Sequence, residues 1–208
     1  MEVLEVRGDS LSPQQMTKTL AVLERGGVVM HATETCYGFT ADIFREDALM
    51  RLYDLKGMPL NKPLSIMATG LNDAERYGHF SKLAKRLGER YWPGPLTLIV
   101  PRKDTLPAFL NPESDTVGLR CPDHRLTFSF LKAMGTPLAT TSANAWGEPE
   151  LYSAKSLRLR PDLVIDSGEI SHHLPSTVVK MKGGAGERPE IVRRGDLADD
   201  IEVFLRKA

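Results

Sequence analysis

Gly26-Gly27-Val28-Val29-Met30-His31-Ala32-Thr33-Glu34-Thr35-Cys36-Tyr37-Gly38-Phe39-Thr40-Ala41-Asp42-Ile43 is the stretch that decides the fold. Two glycines stop a helix, an apolar strand is predicted at Val28 to His31, a polar hydroxyl-bearing segment follows, and a second strand is predicted from Phe39 to Ile43. Helical patterns flank it. Upstream, Ser12-Pro13-Gln14-Gln15 reads as a capping box with proline at the first helical position, and Met16, Leu20 and Leu23 recur at helical spacing. Downstream, Ala48, Leu49, Leu52 and Tyr53 mark one face of a helix that ends near Lys56-Gly57. The alternation continues with strands predicted at Leu64–Ala68, Leu96–Val100, Thr116–Arg120, Leu138–Thr141, Leu163–Asp166, Thr177–Met181 and Glu190–Arg193. Helices are predicted near Ser81–Tyr91, His124–Met134 and Asp199–Lys207. Such a chain is α/β, with one large, twisted, mixed sheet flanked by helices. Residues 1–208 read as a single domain without repeats, low-complexity tracts or linkers, and the last two strands read as a hairpin joined by Gly183-Gly184-Ala185-Gly186.

Composition limits the function classes. With 208 residues, 41% hydrophobic and 26% charged, the chain has material for one sizeable core. Lys+Arg and Asp+Glu both number 27, so no global field draws the protein to nucleic acid or membrane. An anion site must therefore be a local concentration of positive charge. The apolar runs have strand length, short of the roughly 18 residues of a membrane span, and Met1-Glu2-Val3-Leu4-Glu5-Val6-Arg7 lacks a basic stretch followed by an apolar one. The expectation is a soluble cytoplasmic protein with no membrane partner. Cys36 and Cys121 form neither a metal-type pair nor a disulfide framework, which fits a reducing compartment and two small half-buried residues.

Several polar segments fall at predicted strand ends. Lys56 and Lys62 flank Pro59 and Asn61 between a helix and a strand, where two ammonium groups can act as point charges on phosphate, although a helix C-terminus also favours lysine. Thr33 and its neighbours suit a turn in which hydroxyls bond their own backbone. Arg120 ends an apolar strand and needs a partner: a substrate carboxylate, Asp115 or Asp123. Thr140-Thr141-Ser142-Ala143-Asn144 allows close approach of a phosphate and offers an amide to a purine or ribose, but similar strings make plain turns. Trp92-Pro93-Gly94-Pro95 reads as a structural turn. The glycine cluster at 183–186 lacks a following Lys-Ser/Thr and sits between strands, so it reads as a flexible turn and not a phosphate loop. Ser129-Phe130-Leu131-Lys132 with Ser142-Ala143-Asn144 and Lys182-Gly183-Gly184 superficially suggests a serine β-lactamase. That reading fails because Ser129 lies inside a predicted helix and the triplets are too close together. No spacing ties His31 or His124 to a thiol, and His172-His173 lacks further metal ligands.

Taken in order, these segments resemble the YrdC-type threonylcarbamoyl-AMP synthase family, from about Gly26 to Gly195. Ala32-Thr33-Glu34-Thr35-Cys36-Tyr37-Gly38 is similar to the family's Pro-Thr-Glu-Thr-Val-Tyr-Gly. Lys56, Pro59, Lys62, Pro63 and Leu64 match its Lys-x-Arg-Pro and Lys-Pro-Leu. Ser142-Ala143-Asn144 matches Ser-Ala-Asn, Pro175-Ser176-Thr177-Val178-Val179 matches Glu-Ser-Thr-Val-Val, and Ile191-Val192-Arg193-Arg194-Gly195 matches Ile-Leu-Arg-Pro-Gly. Met58 stands where the family has arginine, replacing a guanidinium fork by a thioether; Arg51 and Arg194 are candidates for the missing charge.

The resemblance implies a short, single-domain L-threonylcarbamoyladenylate synthase. Its substrates would be ATP, L-threonine and bicarbonate, with Mg²⁺ accompanying ATP, and a threonylcarbamoyl-transferase complex would pass the product to tRNA. It assigns Thr33, Arg120 and Ser176 to threonine, and Lys56, Lys62, Ser142, Asn144 and Arg193 to ATP. Lys56 and Lys62 are the catalytic charges, and Tyr37 is a pocket wall. The alternatives are a YciO-like paralogue, which binds a nucleotide or RNA or acts on the modified tRNA without synthase activity, and a double-stranded-RNA-binding module.

Overall fold

The computed structural model describes residues 1–181 and 189–207. The capping box forms as predicted: Ser12 Oγ accepts from the Gln15 amide and Gln15 Oε1 accepts from the Ser12 amide. It opens α1 (Pro13–Glu24), which leads to β2 (Val29–His31) and β3 (Gly38–Asp42). Helix α2 (Glu46–Lys56) stops at Gly57, whose φ of 63° is left-handed and open to glycine without strain. The chain continues through β4 (Ser65–Met67), α3 (Leu71–Ala74), α4 (Lys82–Tyr91), β5 (Leu96–Pro101), β6 (Thr116–Arg120), α5 (Arg125–Met134) and β7 (Leu138–Ser142). It ends with β8 (Leu163–Asp166), β9 (Thr177–Lys180), β10 (Glu190–Arg193) and α6 (Ala198–Arg206).

Three elements escape the sequence pattern. Strand β1 (Glu2–Glu5) is an edge strand paired in parallel with β8, and its side chains, mostly exposed, leave no alternation to read. Helix α3 and a 3₁₀ turn at Ala154–Ser156 are single turns, too short for periodicity. The predicted strand at Val28 to His31 is thus the second strand of the chain. The final pair is antiparallel as expected, while the glycine turn at 183–186 falls outside the described residues.

Among the described residues, ten strands join one mixed sheet in the order β1-β8-β2-β3-β7-β4-β6-β5-β9-β10. One face carries Phe39, Ala139, Ile66, Leu119, Leu98 and Val179, and it is covered by Leu49 and Leu52 of α2, Leu87 of α4 and Ile201 of α6. The other face is covered only in part. There α1 and α5 place Leu23, Leu126, Phe130 and Leu131 on Val29, Met67, Leu138 and Leu163. The uncovered part of that face holds the candidate site.

Candidate functional site

Strand register explains why the floor of the site is polar. Gly38 pairs with Ser142, Thr140 with Ser65, Ser65 with Gly118, and Arg120 with Thr97, so these residues share one face of the central strands. Gly118 keeps the floor open. A Cβ there would come 2.6 Å from Ser65 Oγ. The walls come from the loop after β2 and the segments before β9 and at the end of β10, giving a cavity of about 180 Å³. Thr33, Arg120, Ser142, Ser176 and Arg193, placed at a site from sequence, all line it.

Arg120 is paired with neither Asp115 nor Asp123. Its Nη2 donates to Glu34 Oε1 at 2.8 Å and to Thr35 Oγ1 at 2.9 Å, in an ion pair whose side chains are 12% and 16% exposed. Arg120 Nε and Glu34 Oε2 are buried and have no hydrogen-bond partner among the described residues. Across the floor, Arg193 Nη2 donates to Ser176 Oγ at 2.7 Å and its Nε to Ser176 O at 2.9 Å; Thr97 Oγ1 lies 2.8 Å from Ser176 Oγ. Desolvation, and next the charge of Arg120, lowers the pKa of Arg193 from its usual value. The two guanidinium groups therefore oppose each other electrostatically, which an anion between them would relieve.

Thr33 behaves as a turn residue while it lines the cavity. Its hydroxyl donates to Cys36 O at 2.7 Å and accepts from the amides of Thr35 and Cys36. Behind it, His31 Nδ1 lies 2.9 Å from Ala32 O and 3.0 Å from Thr127 Oγ1, and burial pushes its pKa down to about 3. A neutral imidazole thus anchors the start of the loop. Cys36 lines the cavity, its thiol pKa raised by burial. Tyr37 does not act as a pocket wall: fully buried, its hydroxyl donates to Gly168 O and accepts from the Ser167 amide.

The phosphate side differs from expectation. Lys56 is 4% exposed, and its Nζ donates to Ser142 O at 2.5 Å, Asn144 O at 2.8 Å and Asn144 Oδ1 at 3.3 Å. Burial lowers its pKa to about 8, with Cys36 and Glu150 opposing the fall. All three ammonium donors are used inside the protein, so Lys56 holds the exit of β7 and does not line the cavity. Asn144 is similarly committed, its Nδ2 donating to Ala145 O and Glu148 O. It lines a second cavity of about 380 Å³, whose wall includes Glu150, Leu157, Arg158 and Leu159. Lys62 is exposed and sits 5.7 Å from the Trp146 ring, next to the cavity-lining Pro63. Trp92 is structural as expected: its indole donates to Leu96 O.

The residues to which sequence reasoning gave no role in the site are Glu34, Thr35, Ser65, Thr97 and Glu150. Ser65 and Thr97 could have been found as polar positions inside apolar strands. Glu150 carries no local signal.

The chain matches, over residues 21–195, the pattern of the Sua5/YciO/YrdC family, described as telomere recombination. The chain belongs to this family. It is 32% identical over 205 residues to the threonylcarbamoyl-AMP synthase of Bacillus subtilis, covering 94% of this chain and 58% of that protein. The structure of Pyrococcus abyssi Sua5 complexed with L-threonine superposes with a TM-score of 0.88 at 28% identity, over 98% of this chain and 60% of that one. The chain thus spans less than two thirds of both. Escherichia coli YciO shares the fold at a TM-score of 0.84 and 23% identity, with 95% and 98% of the chains covered.

Met58, which stands where the resemblance leads one to expect arginine, is buried and packs in the main core. Neither candidate replacement serves the cavity. Arg51 pairs with Asp162 at 2.8 Å, and Arg194 pairs with Asp199 and Glu202.

Proposed function

We propose that the chain is an L-threonylcarbamoyladenylate synthase, a nucleotidyltransferase. The observation that carries this reading is the polar cavity in which the Arg120–Glu34 pair faces Ser176 and Arg193, with the Ser142 strand end beside them. The names of the relatives and the threonine complex of P. abyssi Sua5 support it.

In this reading the guanidinium of Arg120, which lines the cavity, takes the threonine carboxylate, and Thr33 and the Ser176–Thr97 pair border the side chain. The α-ammonium group of threonine first releases a proton to solvent, and the free amine with bicarbonate then gives N-carboxythreonine and water. Its carboxylate attacks the α-phosphorus of ATP, forming threonylcarbamoyl-AMP and releasing pyrophosphate. No covalent enzyme intermediate is required; the protein orients the reactants and places positive charge near the leaving group. Arg193 and Lys62 remain for that charge, Ser142 offers a hydroxyl to phosphate, and Lys56 positions the strand that carries it. Among the described residues no group of three or more His, Cys, Asp or Glu could hold a metal ion. Mg²⁺ accompanying ATP belongs to this reading and, when bound, would screen phosphate charge. A threonylcarbamoyl-transferase complex in the cytoplasm would then consume the adenylate to modify tRNA.

The test is incubation with ATP, bicarbonate and each amino acid, followed by mass detection of the adenylate. Threonylcarbamoyl-AMP should appear with threonine and require bicarbonate. Equal pyrophosphate release without any amino acid overturns the reading.

A further inference from the structure

An amino acid is a zwitterion, and a cavity that selects one needs an anion as well as a cation. Glu150 is the one carboxylate among the residues lining the cavity, and it also lines the neighbouring cavity beside Asn144. Glu34 is close by in sequence to Thr33 and Thr35, but one of its oxygens is spent on Arg120. Glu150 makes no salt bridge among the described residues. The cations whose titration feels its charge are engaged elsewhere: Lys56 on Ser142 and Asn144, Arg193 on Ser176. The hydroxyls on the wall are also occupied, Thr33 by Cys36 O and Ser176 by Thr97. A partly buried carboxylate left unpaired among committed cations is matched by a mobile cation brought by a ligand.

We propose that Glu150 is a specificity-determining residue that receives the α-ammonium group of the amino-acid substrate, an inference resting on the synthase reading above. Arg120 and Glu150 then recognise the two charges of one zwitterion. A carboxylic acid lacking the amine satisfies only Arg120 and leaves Glu150 facing an uncharged chain.

The test is equilibrium binding by calorimetry without nucleotide or metal. L-threonine is compared with (R)-3-hydroxybutyrate, which keeps the carboxylate and hydroxyl but lacks the amine. Wild type should bind threonine at least about tenfold more tightly, the scale of one hydrogen bond to a charged group. Glu150→Gln should weaken threonine about tenfold while leaving hydroxybutyrate within about twofold, and Glu150→Asp should restore part of the preference. Equal weakening of both ligands shows a structural role and overturns the proposal. So does unchanged threonine binding in Glu150→Gln, or an effect confined to Mg-ATP binding in a parallel titration. If wild type binds no threonine, the synthase reading itself fails and the proposal falls with it. If wild type binds threonine but Glu150→Gln keeps the preference, only the role of Glu150 is lost.

Discussion

Replacing Lys56 by methionine keeps the aliphatic stem and removes the ammonium group, leaving Ser142 O, Asn144 O and Asn144 Oδ1 without their donor. Each hydrogen bond to a charged group contributes about 1.5–3 kcal/mol. Against this stands the cost of burying the charge: a pKa lowered from 10.5 to about 8 makes the charged form roughly 3 kcal/mol less favourable in the folded chain than in water. Desolvation dominates for the proton, but the variant leaves buried carbonyl oxygens without a donor, and on that ground Lys56→Met should lose about 1–3 kcal/mol near neutral pH. The pH dependence has a definite sign. Between pH 8 and 10.5 the unfolded chain holds this proton and the folded chain does not, so the Lys56 contribution to stability rises with pH across that window. Urea unfolding of both proteins at several pH values reads it out. The wild-type advantage should grow by up to about 3 kcal/mol from below pH 8 to above pH 10.5. A variant as stable as wild type at pH 7, with a difference that stays flat through pH 10.5, would refute the clamp and return Lys56 to the role of a free phosphate ligand.

Arg120→Gln should leave the Glu34 carboxylate without its ion-pair partner, lowering stability by about 2–3 kcal/mol in urea unfolding and raising the threonine requirement more than the ATP requirement. Lys62→Ala, at an exposed position, should keep stability within about 0.5 kcal/mol while raising the KM for ATP in pyrophosphate-release assays. Met58→Arg puts a guanidinium into the main core and should cost about 2–4 kcal/mol in thermal or urea unfolding; a stable variant with an improved KM for ATP would show that this position opens to the site.

The elements that could be read from sequence are those whose burial imposes a period. Ser12 at the start of α1, Gly57 after α2 and the apolar runs of β5, β6 and β8 announce themselves, because caps and buried faces constrain residue type. Strand β1 lies along an exposed edge where only Leu4 packs against the core, which leaves too little alternation to betray it. The order of strands is also absent from local patterns: β1 meets β8 across most of the chain, and β8 lies between β1 and β2.

The site was legible in its members and not in their roles. Strand-end motifs suggest groups reaching from loops, whereas register places Ser65, Thr97, Thr140 and Arg120 on a sheet face that α1 and α5 leave uncovered. Alternation can show that one face of a strand is polar, but only the tertiary arrangement shows whether a helix covers it. The same limit explains Lys56 and Asn144. Their residue types suit a nucleotide, yet the ammonium and the amide are consumed by carbonyls of the turn between Ser142 and Glu148. This turn carries Glu150 shortly after, so the buried lysine acts on the cavity through the backbone it holds: loosening it should shift Ser142 and Glu150 together. Loss of threonine selectivity in Lys56→Met, beside the loss of stability, would therefore follow from position and not from charge on phosphate. A variant that loses ATP affinity alone would point the other way.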